Sequence, residues 1–401
     1  MERVRRKPVL RWGVLVTIIA ALGTVSGTAI LGSMGTHDTA ASLSTAAATL
    51  AGGRSYGNDL LVQAARSLQS GSGPADGSPV GCGMTAGSES ATCGSARAAP
   101  EPPLTAGSAG PSVPSARAVA GLTYDAADGY VVLFGGYTGS VYLNDTWKFV
   151  AGVWTKLTTP VAPGPRDGMS MTYDAKDGYV LLFGGSNNSV FYNAETWKFV
   201  GGAWTKLSPT TAPAARYGAG IAYDAHDGYV VLFGGYGTTS YSDTWKYAGG
   251  AWTLLSPASH PSARNYPAMA YDVHDNEVVL FSGFTGIEPR DTWTFAGGAW
   301  TNITKSGGPT GVYGAGFTYD SADGYLVLFG GYNGAKVVNS EWTFVGGTWT
   351  KLAPTTHPGS RFDPAMTYDA KDGYVLLFGG RTTSVYLHDR WSYSAGTWTK
   401  L

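Results

Sequence analysis

Cysteine is scarce in this chain, and neither sign of charge is in excess. Only Cys82 and Cys93 occur, so disulfides cannot stabilise the long part of the chain that follows them. The 27 basic and 28 acidic residues give a net charge of -1. A nearly neutral chain without a basic region is unsuited to a general electrostatic attraction to nucleic acid. We therefore expect no nucleic-acid partner.

Sequence motifs of common catalytic and metal sites are also missing. The chain has no nucleophile-elbow pattern, no zinc-ligand spacing and no phosphate-binding loop. Aspartate pairs recur in its turns, but each turn offers only about three oxygen donors, whereas calcium usually takes six or more. We expect no catalytic residue, no metal and no cofactor.

Glycine and tryptophan, in contrast, are abundant. The chain contains 58 glycines and 13 tryptophans, and 43% of its residues are hydrophobic. Many tight turns together with many large packed side chains are typical of an all-β protein.

The first 34 residues are predicted to anchor the chain in a membrane. Residues 1–12 are basic and form a cytoplasmic tail in this interpretation, and residues 13–34 form a transmembrane signal anchor. Twenty uncharged residues, 13–32, would span about 30 Å as a helix, which is about the hydrocarbon thickness of a bilayer. The basic flank predicts that the rest of the chain is exported. A cleaved signal peptide, which would leave a secreted protein, is the alternative.

Residues 35–115 are predicted to be a low-complexity, disordered stalk. They are rich in Ala, Gly, Ser and Pro and poor in large apolar side chains, so they cannot bury enough surface to offset the entropy of ordering. Both cysteines lie here. In an oxidising compartment Cys82 and Cys93 would close a disulfide, and the alternative is a pair of free thiols.

The remaining residues, 116–401, consist of six repeats with a period of 48 to 50 residues. The common pattern is an Arg, then Tyr-Asp seven residues later, an apolar run ending in Phe-Gly-Gly, a variable loop, and two tryptophans seven residues apart. Val312 replaces the Arg in the fifth repeat, and Ser282 replaces the first Gly in the fourth. The segment YDAKDGYVLLFGG occurs twice, at 173–185 and 368–380. The repeated Phe is found at Phe134, Phe183, Phe233, Phe281, Phe329 and Phe378.

Each repeat is predicted to form four antiparallel strands. The apolar run YVVLF is typical of a strand that is covered on both faces. The preceding Asp-Gly predicts a type I turn that ends in a left-handed residue. Asn276 replaces this Gly in the fourth repeat and tolerates the same conformation. Six such sheets can bury their apolar faces by packing radially against one another, as the blades of a β-propeller do.

The order of these residues resembles the Kelch repeat. The resemblance implies a six-bladed Kelch-type β-propeller over residues 116–401, related to galactose oxidase in architecture. It gives no support to the copper chemistry of that enzyme, because no cysteine follows Cys93 to crosslink with a tyrosine. The ring closes either through blade faces alone or with an edge strand from residues 103–110.

The variable loops after each Phe-Gly-Gly are predicted to gather on one face of the propeller. They are rich in Tyr, Asn, Ser and Thr, a composition that is favoured at recognition surfaces. The candidate ligand-binding residues are Tyr137, Tyr142, Phe191, Tyr192, Tyr236, Tyr241, Phe284, Tyr332, Arg381 and Tyr386.

The blade arginines either form an anion-binding ring or have a structural role, and we favour the second interpretation. An acid precedes the first Trp of a repeat by two residues, and both the Arg and the acid are absent from the fifth repeat, where Val312 and Ser340 stand. An Arg–carboxylate pair within each blade would explain this coincidence. The structural candidates are Arg166, Arg216, Arg264 and Arg361 with Asp243, Asp291 and Asp389.

These observations predict a membrane-anchored, extracytoplasmic binding or scaffold module that recognises a protein segment or a glycan through its variable-loop face. The alternatives are a propeller enzyme that acts on sugars and an architectural adhesion protein of the cell surface.

Overall fold

The computed structural model describes residues 113–187 and 193–401. This part of the chain contains 24 strands in six four-stranded antiparallel sheets and no helix. In every sheet the strands follow in chain order, so each blade is a meander built from one continuous segment. The prediction of an all-β, six-bladed propeller is confirmed.

The first three blades have nearly identical strand lengths. Blade one contains β1 (Gly121–Asp125), β2 (Tyr130–Phe134), β3 (Thr146–Val150) and β4 (Val153–Leu157). Blade two contains β5 (Ser170–Asp174), β6 (Tyr179–Phe183), β7 (Thr196–Val200) and β8 (Ala203–Leu207). Blade three contains β9 (Gly220–Asp224), β10 (Tyr229–Phe233), β11 (Thr244–Ala248) and β12 (Ala251–Leu255).

The last three blades repeat this pattern. Blade four contains β13 (Ala268–Asp272), β14 (Glu277–Phe281), β15 (Thr292–Ala296) and β16 (Ala299–Asn302). Blade five contains β17 (Gly316–Asp320), β18 (Tyr325–Phe329), β19 (Glu341–Val345) and β20 (Thr348–Leu352). Blade six contains β21 (Ala365–Asp369), β22 (Tyr374–Phe378), β23 (Arg390–Ser394) and β24 (Thr397–Lys400).

The turn between the first two strands of a blade has the predicted conformation. In blade one, Asp125 Oδ1 accepts the backbone N–H groups of Ala127 and Asp128 at 3.1 and 3.3 Å, and Gly129 follows with φ +71°. Asn276 has φ +57° at the equivalent position of blade four. The aspartate is therefore a turn residue, and the next strand begins directly after the left-handed position.

The second tryptophan of each repeat packs between neighbouring blades. The ring centroid of Trp204 lies 5.0 Å from that of Phe199 in its own blade and 5.0 Å from that of Phe134 in the preceding blade. Its indole N–H donates to Thr146 Oγ1 at 2.9 Å. Aromatic contacts thus join each blade to the next, and a hydrogen bond from the indole N–H adds to them at every interface except that of Trp154, between blades six and one.

Blade faces and backbone hydrogen bonds close the ring. Trp154 of blade one packs on Phe378 of blade six with ring centroids 5.2 Å apart. The N–H of Arg117 donates to the carbonyl of Leu387 at 3.0 Å, and the N–H of Gly380 donates to the carbonyl of Arg117 at 2.9 Å. Contacts between blade faces therefore join blade six to blade one, and the residues predicted as a possible edge strand, 103–110, lie outside the described part of the chain.

The innermost strands reveal a period of two blades that the sequence analysis did not detect. At three of the six interfaces a glycine faces a methionine of the following blade, and at Gly220 an added Cβ would lie 2.7 Å from the Met269 sulfur. The glycine thus creates the space that the longer side chain fills. The three pairs are Gly121 with Met171, Gly220 with Met269, and Gly316 with Met366.

Several predictions fall on residues outside the described part of the chain. These are the cytoplasmic tail, the signal anchor, residues 35–112 of the predicted stalk, and the disulfide between Cys82 and Cys93. The last three stalk residues, 113–115, are described, and Ser115 accepts hydrogen bonds from Arg117. Within residues 113–187 and 193–401, no helix has the length and apolarity that a membrane span requires.

Candidate functional site

The two ends of the propeller differ in the length and variety of their connections. We call the end that carries the short β1–β2 and β3–β4 turns the turn face, and the end that carries the connections between the second and third strands the loop face. The loop-face connections are residues 135–145, 184–195, 234–243, 282–291, 330–340 and 379–389. Variable loops on a rigid scaffold are the usual location of binding residues.

The blade arginines lie beneath the loop face, and each pairs with the acid of its own blade. Arg216 is 1% exposed, and its Nη1 and Nη2 donate to the two carboxylate oxygens of Asp243 at 2.6 and 2.8 Å. Nη1 also donates to the carbonyl of Gly234 at 2.8 Å, and Trp245 Nε1 donates to Asp243 at 2.7 Å. The remaining pairs are Arg117–Asp145, Arg166–Glu195, Arg264–Asp291 and Arg361–Asp389.

The pairing lowers the pKa of the acids and leaves the arginines no free charge for a ligand. Burial raises the pKa of Asp243, but the hydrogen bonds and charge of Arg216 and the Trp245 N–H outweigh it, so that the pKa lies below its ordinary value. Burial also raises the pKa of Glu195 in blade two, but hydrogen bonds from Lys206, Arg166 and Trp197 outweigh it, so that the pKa falls to about 2. These ion pairs therefore hold the connection between the second and third strands against the rest of the blade.

Blade five lacks this pair and contains a different buried acid. Glu341 occupies the position where blades one to four have a threonine, and it is 2% exposed. Its Oε2 accepts the indole N–H of Trp398 at 2.7 Å, while Oε1 has no hydrogen-bond partner among the described residues. Burial raises the pKa of Glu341 to about 7. This carboxyl therefore titrates near neutral pH.

A closed ring of backbone hydrogen bonds surrounds the central axis at the loop face. The residue two positions after each blade-opening residue donates its N–H to the carbonyl of the equivalent residue in the preceding blade, with N···O distances from 2.6 to 3.4 Å. Six bonds complete the circle. The members of this ring, which we call the mouth ring, are Val119, Gly168, Gly218, Tyr266, Gly314 and Asp363.

Below the mouth ring the innermost strands enclose a central cavity of about 200 Å³. Three consecutive residues of each blade line it, among them Met171, Met269 and Met366. The methionine side chains fill the interfaces between blades, as described above. The side chains of the loop face that differ from blade to blade therefore lie around the mouth of this cavity and above it.

The loop-face aromatics form three clusters around the mouth ring. The first joins blades six and one: the ring centroid of Tyr137 lies 4.5 Å from that of Tyr142 and 5.8 Å from that of Tyr386. Gly139 allows this approach, because an added Cβ would lie 2.7 Å from the Tyr386 ring. Exposed Val141 and Val385 flank the cluster.

The second cluster belongs to blades three and four. The ring centroid of Tyr217 lies 5.7 Å from those of both Tyr236 and Tyr266. Only Tyr236 of these three was predicted to bind a ligand. Tyr217 immediately follows the blade arginine, and the bridge between Tyr217 and Tyr236 places the two residues side by side.

The third cluster belongs to blades four to six and contains Phe284 and Tyr332. Both flank Tyr313, whose ring centroid is 5.5 Å from each of theirs. The Arg381 guanidinium stacks 4.3 Å above the buried Phe362 ring. Tyr217, Tyr313 and Phe362 were not predicted as binding residues from the sequence. Their shared position, directly after the residue that opens the blade, is the feature that could have identified them.

The predicted ligand-binding residues thus fall into three groups. Tyr137, Tyr142, Tyr236, Phe284, Tyr332 and Tyr386 are partly exposed in the three clusters. Arg381 is 9% exposed and donates from Nε to Asp363 at 3.2 Å, and Tyr241 covers the Arg216 guanidinium at 4.2 Å. Phe191 and Tyr192 lie outside the described residues.

The turn face offers aspartates and two exposed histidines. Burial raises the pKa of Asp125 and of Asp320 to about 6, although each accepts two backbone N–H groups. His226 and His274 lie beside Asp227 and Asp275 with their side chains 65% and 57% exposed. No group of three or more His, Cys, Asp or Glu side chains in residues 113–187 and 193–401 is placed to hold a metal ion.

Comparison with known proteins gives one family match. The model of the KLHDC2/KLHL20/DRC7 Kelch-repeats domain matches residues 104–283, which include blades one to three and the first two strands of blade four. No curated protein matches the chain significantly. Over residues 104–283 the chain is similar to Kelch-repeat domains, and the six-bladed architecture extends the same blade to residue 400.

Proposed function

We propose that the propeller is a protein-binding scaffold module whose binding surface is the loop face. The observation that carries the proposal is the gathering of three partly exposed aromatic clusters around the rigid mouth ring. Aromatic side chains contribute much of the binding energy at protein interfaces, and a rigid support reduces the entropy lost on binding. Kelch-repeat domains, to which the chain is similar, generally bind proteins.

The charges of the loop face favour an uncharged partner segment. The five blade arginines are paired with acids, and Arg381 is paired with Asp363. Asp167 accepts a hydrogen bond from the Ser186 hydroxyl at 3.0 Å. Outside these pairs, exposed Arg290 and Lys336 lie in the connections 282–291 and 330–340, whereas the three aromatic clusters offer mainly apolar and aromatic contacts. Such a surface binds without strong dependence on salt.

We also propose that the module acts outside the cytoplasm and has no enzymatic activity. The uncharged segment at residues 13–34 and its basic flank support a membrane anchor with an exported propeller. Protease added to intact cells that express the full chain should digest the propeller. Its full protection, together with degradation after the cells are lysed, would contradict the proposed location.

The binding surface is tested by selection from a random peptide library against the full chain, with a glycan array probed in parallel. Peptides should be enriched, and Tyr236→Ala and Tyr332→Ala should each weaken the binding of an enriched peptide about tenfold. Matched controls on the turn face are His226→Ala and His274→Ala, which remove exposed rings and should leave affinity unchanged. Glycan binding without peptide binding, or peptide binding that only the turn-face variants weaken, would contradict the proposal.

A further inference from the structure

The mouth ring contains three residues in a backbone conformation that costs them free energy. All six members have positive φ, and glycine, which adopts such angles without penalty, occupies the position in blades two, three and five. Val119, Tyr266 and Asp363 have φ of +57, +49 and +56°. A bulky or β-branched residue in this region is an outlier that persists only where its surroundings enforce it.

Closure of the ring does not require these side chains. The mouth-ring N–H groups of Gly168, Gly218 and Tyr266 all donate to the preceding blade, at 3.1, 2.7 and 2.6 Å. Glycine therefore supports the same hydrogen bonds with less backbone strain. The tyrosine at position 266 needs another explanation, and strained residues are concentrated at functional sites.

The Tyr266 side chain covers the centre of the loop face. An added Cβ at Gly218 would lie 2.9 Å from Cε2 of the Tyr266 ring, and one at Gly168 would lie 3.0 Å from its hydroxyl oxygen. The ring thus extends from blade four over blade three to blade two, and two glycines make room for it. On its flank stands Tyr217, with ring centroids 5.7 Å apart, so the central tyrosine is continuous with the second aromatic cluster.

Asp363 has a different place in the same ring. It is 5% exposed, and its carboxylate accepts the Nε–H of Arg381 at 3.2 Å. An added Cβ at Gly314 would overlap this carboxylate, so the glycine of blade five makes room for the acid of blade six. Asp363 holds Arg381 against Phe362, whereas the Tyr266 ring is partly exposed.

We propose that Tyr266 is the specificity-determining residue of the loop face and that its occupant is an uncharged segment of a partner protein, which packs an apolar side chain on the Tyr266 ring. This inference rests on the proposed protein-binding function. The paired charges around the ring disfavour a charged occupant, because its buried charge would find no partner. The strained backbone is retained because it directs an aromatic ring to the centre of the surface.

The test uses a peptide enriched against the full chain, with affinity measured by fluorescence anisotropy and stability measured by thermal unfolding. Tyr266→Gly should weaken binding about tenfold or more while the unfolding temperature stays equal or rises. Tyr266→Phe, which keeps the ring, should bind within about twofold of the parent chain. Tyr266→Asn tolerates positive φ and removes the ring, so it provides a second variant should the glycine variant not fold.

A matched control separates the effect of relieving backbone strain from the effect of losing the aromatic side chain. Asn276→Gly removes a non-glycine residue of φ +57° on the turn face and should leave peptide affinity unchanged. Equal affinity of the parent, Tyr266→Gly and Tyr266→Asn chains would overturn this inference and leave the proposed function intact. Failure to enrich any peptide would refute the proposed function itself, and this inference with it. A marked fall in unfolding temperature for both variants would assign Tyr266 a structural role instead.

Discussion

The strongest stability prediction concerns the Arg216–Asp243 pair, for which blade five provides a natural comparison. Blade five has Val312 and Ser340 at the two positions and still forms four strands. We therefore consider Arg216→Val, Asp243→Ser and the double substitution. Each single change leaves a charged partner behind, whereas the double change reproduces a combination that a blade of this protein already accommodates.

The structure sets the expected magnitudes. In Arg216→Val, the Asp243 carboxylate still accepts the Trp245 N–H but loses both hydrogen bonds from the guanidinium. In Asp243→Ser, the guanidinium, which is 1% exposed, still donates to backbone carbonyls but has no counter-charge. Loss of one partner of a buried ion pair costs about 3 to 5 kcal/mol. The double variant removes both charges, and its cost should fall below the sum of the single costs by at least about 2 kcal/mol.

Equilibrium unfolding in urea measures these free energies, with tryptophan fluorescence and far-ultraviolet circular dichroism followed together to establish a two-state transition. The paired acid has a lowered pKa, so its stabilising contribution is present above the ordinary pKa of 3.8 and is lost as pH falls through the folded-state value. The coupling should accordingly be full at pH 7. Additive losses in the cycle at pH 7 would refute the structural interpretation of the blade arginines.

Substitutions at three single contacts between blades should also change stability. The pKa of Glu341 rises from 4.5 to about 7 on folding, so the ionised carboxylate destabilises the folded protein above that pH. Glu341→Gln should therefore raise the free energy of unfolding by up to about 3 kcal/mol at pH 8 and leave it unchanged at pH 4. Equal gains at both pH values would contradict this. Arg390→Thr should give the unpartnered Trp154 N–H an acceptor and add about 1 kcal/mol of unfolding free energy in urea, whereas a loss would contradict it. Gly220→Ala should lower the free energy of unfolding by about 1 to 3 kcal/mol, because the added methyl group would clash with Met269. Adding Met269→Leu to this variant should recover part of the loss. An unchanged free energy of unfolding would contradict the close packing of this interface.

The repeats made the propeller predictable from sequence. Six copies of one pattern specified the strands, the turn at Asn276 and the tryptophan interfaces, because each copy solves the same packing problem. The Arg–acid pairing could be inferred because Val312 and Ser340 depart together from the repeat. When two positions change together in one repeat, the change indicates that their side chains are in contact in the other repeats. One repeat alone could not have indicated this contact.

The centre of the loop face could not be predicted in the same way. Tyr266 replaces a glycine at a position whose left-handed conformation and mouth-ring hydrogen bond become visible only when six blades close on one another. The burial of Arg381 likewise depends on Asp363 and Phe362, which precede it by 18 and 19 residues in the sequence. The backbone positions that make these contacts recur in every blade, but their side chains differ from blade to blade, so the repeat pattern does not specify the contacts.

Crosslinking shows directly whether a bound protein segment lies on the loop face or on the turn face. An enriched peptide that carries a photoreactive group at its centre is irradiated on the full chain, and the crosslinked residues are identified by mass spectrometry. If the loop face binds the peptide, crosslinks should form at residues 236–243, 284–291 and 332–340 and at Tyr266. Crosslinks confined to the turn face, at residues 224–229, 272–277 and 320–325, would contradict it.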